Sequence, residues 1–473
     1  MTAARLRPED HWPLLGLGLL PFALAGLLAT GASLQLVAAL AIGGLLVIAG
    51  LYLTAFVDVA WLFSAAIALT LFSGHWRELG LPNLVSIDRV ALAAAFLVLL
   101  LRDPALGRRP YFRLTGTHVV LLLAAGFAIC SAVASGAITE TNAIFPLLDR
   151  YGLIPFLLFA AGPLAFATEH QRRILLCTFL AVGAYLGLMA LFSGLGLNAL
   201  LFPRYLAELP AEVQAGRARG PFGDSAVNGV ALFYCAVAAM VAYATIPARA
   251  VRAVAVAVAS LCAFDLIFAQ QRSVWVGAIL GALCAAAMAP ALRRRLPLAV
   301  AGTALALVAA FALVPGLQAQ TSERLHENRT QWDRLNLNAA ALNMIEARPL
   351  LGFGPGPFAA HSGPYFELAE DFPLTNTGGE LHNVFLAMAV QYGLVGAALW
   401  GLALVLAVGG AILVRGPPEL FPWRVGLVAV AVMWLVVANL VPMVQALPNH
   451  VLWLWAGVVW PWRYATLARE EGS

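Results

Sequence analysis

The chain has 473 residues, 62% of them hydrophobic and only 11% charged, with a mean hydropathy of +0.86 and a formal net charge of +4. These values exclude a soluble globular protein, and no nucleic-acid-binding motif accompanies the small positive charge. The apolar runs are continuous rather than alternating, which excludes a β-barrel and leaves an all-α, polytopic transmembrane bundle.

A membrane-spanning helix needs roughly 20 apolar residues. Fourteen runs are predicted as spans, at about 13–31, 34–56, 59–73, 87–101, 115–135, 151–168, 173–196, 227–246, 253–269, 273–290, 297–315, 383–413, 425–444 and 450–466. The third and fourth are short enough to be re-entrant or interfacial instead. Arg5 and Arg7 ahead of the first run resemble a signal peptide, but a second run follows almost at once, so an uncleaved span is expected. Three regions follow from this reading: an N-terminal transmembrane bundle (1–315), a large polar loop (316–381) and C-terminal transmembrane helices (382–473).

The chain has no lysine, and its 28 arginines set the orientation. With both termini inside, 17 arginines fall on the inner side, among them Arg108, Arg109, Arg293, Arg294 and Arg295. The outer side receives 11 arginines and most of the acidic residues. This bias obeys the positive-inside rule and places 316–381 outside the cytoplasmic membrane. All five cysteines (130, 177, 235, 262 and 284) lie within predicted spans, with neither disulfide partners in the outer loops nor metal-ligand spacing.

Candidate chemistry lies on the outer face, taken in chain order. Arg217 and Arg219, in Arg217-Ala-Arg-Gly-Pro-Phe-Gly-Asp-Ser-Ala-Val-Asn-Gly229, precede a span. Two guanidinium forks near a helix start suit an anion, and equally an ordinary interfacial loop touching lipid headgroups. Arg272 stands in a break of a few residues between two spans, either as a functional charge or paired with Asp265, seven residues earlier. Thr321-Ser322-Glu323 caps a predicted helix reaching about Ala347, with Trp332, Leu335, Ala339, Leu342 and either Ile345 or Glu346 along its apolar face. Pro349-Leu-Leu-Gly-Phe-Gly-Pro-Gly-Pro-Phe358 lacks the Lys-Ser/Thr ending of a nucleotide-phosphate loop and reads as a tight turn pinned near the membrane. Glu367, Glu370 and Asp371 read as a solvated acidic turn rather than a metal site. His382 ends the loop where the next span begins, and only His450 shares such a position among the outer histidines. Gly393 and Gly396 beyond it would admit a closely packed helix.

Together, the glycine-rich 349–358 segment, His382-Asn383, Gly393 and Gly396 resemble the signature of the O-antigen ligase and polymerase superfamily. Arg329-Thr-Gln-Trp332, Ala341-Leu-Asn-Met-Ile345, the Arg-Gly-Pro-Phe-Gly segment at Arg219 and Arg272-Ser273 add to the likeness, which covers about residues 200–400. The resemblance implies a GT-C-like bundle of about 12–14 spans with one large periplasmic loop, in the bacterial inner membrane. It implies a glycosyltransferase that takes a glycan from undecaprenyl pyrophosphate and needs neither metal nor cofactor. The acceptor is lipid A–core for a ligase, or another glycan repeat for a polymerase; a polysaccharide or lipid transporter is the remaining class. It assigns His382, Arg272 and Arg219 to catalysis, with Glu380 and Asp224 as alternative bases. Arg217, Arg219, Arg272, Arg348, Gly354 and Asn383 form the expected substrate-binding set. Membrane lipids surround the protein.

Overall fold

A computed structural model describes residues 57–80, 86–105, 114–137, 144–208, 217–294, 329–366, 379–414 and 416–460, with a few single positions between 297 and 308. The predicted spans 13–31 and 34–56, nearly all of 297–315, the proposed cap at 321–323 and the acidic turn at 367–371 lie outside the described residues. The structure is 80% helical without strands among the described residues, so the all-α expectation is met.

Twelve principal helices are α1 (Val59–Leu69), α2 (Ile87–Ala105), α3 (Gly116–Ala134), α4 (Leu153–Ala165), α5 (Glu169–Gly194), α6 (Ser225–Thr245), α7 (Arg249–Ala269), α8 (Arg272–Met288), α9 (Arg329–Ala347), α10 (Val384–Leu404), α11 (Phe421–Ala438) and α12 (Ala446–Val459). Among the described residues, six segments are long and apolar enough to cross a membrane: α3, α5, α6, α7, α10 with its continuation to Leu413, and Pro418–Ala438. Four shorter apolar helices, including α8 and α12, pack among them. The chain is a multi-pass membrane protein. The apolar side chains left exposed on α3, such as Leu122, Leu123 and Val133, are what a lipid-facing helix presents.

The bundle is built around α6, buried along most of its length and packed by α5, α7 and α11. Small residues let the helices approach. A Cβ on Gly162 of α4 would lie 2.8 Å from the backbone of Gly457 on α12, so neither helix tolerates a side chain at that crossing. The α6–α7–α8 sequence has one tight turn: α7 ends on Gln270, a non-glycine residue in the left-handed region at φ 47°, and α8 starts two residues later.

α10 is broken. Gly393 has φ 65° and ψ 179° inside it, and the 349–358 loop plugs the break. Phe353 and Gly354 donate backbone N–H bonds to the carbonyls of Val390 (2.9 Å) and Gln391 (2.8 Å), and Leu394 donates to Pro349 (2.7 Å). A Cβ on Gly352 would lie 2.5 Å from the Gln391 carbonyl, and one on Gly393 would strike the Leu350 carbonyl. Gly393 thus admits a loop, whereas Gly396 admits the Phe127 ring of α3. The tight-turn reading of the loop holds, and the expectation that both glycines serve helix packing is corrected at Gly393. Gly393→Ala, at positive φ and against backbone, is expected to cost about 1–3 kcal/mol or more. Its melting temperature in detergent should fall well below that of the native protein; an unchanged value would mean that the loop is not seated there.

α9 packs on the start of α10 through Leu337, Ala340, Ala341 and Met344, which share a cluster with Phe353, Phe358, Leu381, Ala387 and Val390. The predicted face is therefore the wrong one: Trp332, Leu335 and Leu342 are 38%, 51% and 52% exposed. Both sets have helical spacing. The one with two alanines won because small side chains let α9 lie close against α10.

Candidate active site

The Arg217–Asp224 segment is held by its backbone. Ala218 donates to the Phe268 carbonyl at the end of α7 (2.8 Å), and Asn228 Nδ2 of α6 donates to the Ala218 carbonyl (3.0 Å). Gly220 then turns the chain at φ 56°, where a Cβ would collide with the Asn228 side chain. Tyr205 donates its hydroxyl to the Pro221 carbonyl (2.7 Å), and Gln445 Nε2 donates to Phe222 (3.3 Å). Asp224 closes the segment as the α6 N-cap, its Oδ1 accepting from Ala226 (2.7 Å) and Val227 (3.1 Å). Arg217 and Arg219 flank the buried Ala218 and are themselves half-buried, and burial lowers the Arg219 pKa.

Arg272 opens α8 directly across the turn that carries Phe268, and Gln271 Nε2 donates to Ser225 Oγ at the start of α6 (2.9 Å). The Arg272 turn and the Arg217–Asp224 segment are thus stitched together. The alternative Asp265–Arg272 pair is not formed. Neither Asp265 oxygen has a hydrogen-bond partner, and its side chain is wholly buried near Gly187 of α5. The break at Gln270–Gln271 puts the two residues on separate helices, so a spacing of seven, nearly two turns of one helix, does not bring them onto a common face.

His382 lies between Leu381, buried under α9, and Asn383, the α10 N-cap whose Oδ1 accepts from Phe385 (2.9 Å) and Leu386 (3.1 Å). Glu380 accepts from Arg150 Nη1 (3.4 Å), an ion pair that ties the turn to the residues before α4. The neighbouring Asp149 is paired with Arg89, and His450 Nε2 lies 3.3 Å from its Oδ1. His450 is therefore buried inside α12 rather than at a helix mouth, and belongs to this anchoring network.

The electrostatics bring the segments together. Burial and the Arg334 guanidinium push the His382 imidazole below the usual histidine value, against the Glu380 backbone and the Asp333 and Asp224 carboxylates, which favour the charged form. Burial lowers Arg334 as well, and the Arg272 charge adds to that. Asp224 from α6, Arg272 from α8, Asp333 and Arg334 from α9 and His382 before α10 thus share one locality. Arg334 and Asp333 are the residues that the sequence reading missed. Arg334 is one of eleven outer arginines, and its spacing of three from Leu337 became informative only once Leu337 proved to be on the buried face.

The remaining expected residues lie differently. The Asn383 side-chain oxygen is occupied in capping. Gly354, at φ 90°, packs against the Ser135 side chain. Arg348 is exposed, stacks over the Phe353 ring at 4.7 Å, and lines a groove of about 370 Å³ with Ser131, Ser135 and Pro349–Gly352. Fourteen residues of helical rise set it about 20 Å along α9 from Arg334.

Residues 255–401 match the O-antigen ligase family model. The resemblance to the O-antigen ligase and polymerase superfamily is established over that segment. No curated protein matches the chain. The matched segment contains Arg272, Arg334, the glycine-rich loop, His382 and Asn383, while Arg217 and Arg219 precede it. The family match supports a role in lipopolysaccharide or other polysaccharide biosynthesis.

Proposed function

We propose that the protein is an inner-membrane ligase that moves a glycan from undecaprenyl pyrophosphate to a sugar hydroxyl of lipid A–core on the periplasmic face. The observation that carries this reading is the meeting of Arg272, the Arg217–Asp224 segment and a depressed-pKa histidine at one end of the bundle, largely within the O-antigen ligase segment. In the step proposed, the acceptor oxygen attacks the anomeric carbon of the donor sugar. The bond from that carbon to the phosphate oxygen breaks, and pyrophosphate leaves with the electron pair. The hydroxyl proton passes to His382. Arg217, Arg219 and Arg272 offset the developing charge through charge-assisted hydrogen bonds, about 1.5–3 kcal/mol each, so the step is written without a metal. A transporter instead concentrates ionisable groups near the membrane midplane, away from helix ends such as these.

The same donor chemistry serves a polymerase, and the acceptor decides between the two. The purified protein in proteoliposomes, given lipid-linked donor with either lipid A–core or a second lipid-linked glycan, should elongate the former. Elongation of the second glycan alone would make the protein a polymerase. Transfer to neither acceptor would sink the reading.

The arginine bias also supports a periplasmic 316–381 loop with both termini cytoplasmic. Ala347→Cys and Ala360→Cys, both at exposed positions, are expected to react with a membrane-impermeant thiol reagent in a cysteine-free background and outer-membrane-permeabilised cells. Labelling only after the inner membrane is opened would place the site on the wrong side for a flipped donor.

A further inference from the structure

Arg334 lies three residues, one helical turn, before the wholly buried Leu337, which packs with Leu381. That places it on the face of α9 turned towards the start of α10, where His382 stands. The side chain is half-buried, and its Nε is shut away from solvent without a hydrogen-bond partner. Besides burial, the charge that lowers its pKa is another guanidinium, that of Arg272. Two arginines brought together in a partly desolvated place repel each other, and an anion held between them offsets that repulsion beyond what the neighbouring Asp333 and Asp224 carboxylates supply.

We propose that Arg334 is a further phosphate-binding cation of the site, forking onto the same pyrophosphate as Arg272. The proposal rests on the transferase reading for the identity of the anion, but the anion site itself does not need it. A second consequence follows from position. The charged and titratable groups that face His382 are Arg334 and Asp333 from α9, Asp224 from α6 and the Glu380 backbone of its own turn. Arg334 is the cation among them, so it adds to burial in keeping the imidazole in the neutral form that can take a proton.

The test uses the purified full chain, with inorganic pyrophosphate as the probe of binding and donor turnover as the probe of chemistry. Pyrophosphate is expected to raise the melting temperature of the native protein, and Arg334→Gln to remove most of that protection. In turnover, Arg334→Gln should raise the donor KM at least tenfold. It should also move the acid limb of the kcat profile to higher pH, because removing a neighbouring positive charge raises the His382 pKa. Arg334→Lys should keep the acid limb in place yet bind pyrophosphate less well, since a point charge replaces a fork. A merely structural arginine would leave the pyrophosphate protection and the donor KM unmoved. Undiminished pyrophosphate protection and an unshifted limb in Arg334→Gln would overturn the proposal, and with His382→Ala inactive the transferase reading would still stand. Arg334-dependent pyrophosphate binding in a native protein that transfers nothing would support the cation site and overturn that reading instead.

Discussion

His382→Ala is expected to lower glycan transfer by roughly 100- to 10,000-fold, the usual contribution of a general base. Donor binding should survive, because the arginines that would hold the pyrophosphate come from other segments. The loss should therefore appear in kcat, with KM for the donor changed little. His382→Gln separates two roles: glutamine can hydrogen-bond but cannot accept a proton near neutrality, so it should be nearly as damaging as alanine. An active glutamine variant beside an inactive alanine variant would mean that the ring positions the acceptor. The pH dependence has a definite sign. Burial and Arg334 lower the His382 pKa, so the imidazole is neutral at pH 7 and stays so somewhat below the ordinary value of roughly 6.5. Native kcat should hold through that value and fall only at lower pH, as the ring becomes charged and loses its lone pair. A profile without a histidine limb would shift attention to Asp224. Glu380 is the weaker substitute, since its carboxylate is engaged by Arg150.

Arg272→Ala is expected to be the second severe loss. Removing one charge-assisted hydrogen bond costs about 1.5–3 kcal/mol, which is roughly 10- to 150-fold in rate, and a forked guanidinium can make two. Arg272→Lys keeps the charge but loses the fork and should retain only a small part of the activity. Arg219→Ala and Arg219→Lys should follow the same order. The rival explanation, an Arg272–Asp265 pair holding the hairpin, makes a different prediction: a poorly expressed Arg272→Ala rescued by Asp265→Ala. Asp265 is not bonded to Arg272, so no rescue is expected, and protein levels of the arginine variants should match the native chain. Unchanged turnover in Arg272→Lys would count against a pyrophosphate role.

The fold class and several site residues were legible because they depend on strong local signals. Twenty-residue apolar runs have one solution in a bilayer, and arginines stranded on the outer side stand out against the inward bias. Arg219 and Arg272 were singled out on those grounds, and the Phe268–Ala218 and Gln271–Ser225 bonds do join their segments. What failed depended on tertiary choice. On α9, the bulky set at Trp332, Leu335 and Leu342 and the small set at Leu337, Ala340, Ala341 and Met344 have the same helical spacing, and only the packing partner decides between them. The polar break before Arg272 was legible, but the left-handed turn at Gln270 was not, because a glutamine carries no turn signal, and that turn separates Asp265 from Arg272. Gly393 looked like helix packing because a loop entering a helix from 40 residues away leaves no periodic trace. Arg334 and Asp333 became visible through the same decision that fixed the α9 face.

The most direct measurement of the central claim is the product balance of the purified protein in proteoliposomes. Lipid-linked glycan donor and lipid A–core are supplied, and free undecaprenyl pyrophosphate is quantified against newly glycosylated acceptor. The account predicts one pyrophosphate carrier released for each glycan transferred, with both products lost together in His382→Ala and in Arg272→Ala. Movement of intact donor across the bilayer with no pyrophosphate carrier released would contradict it.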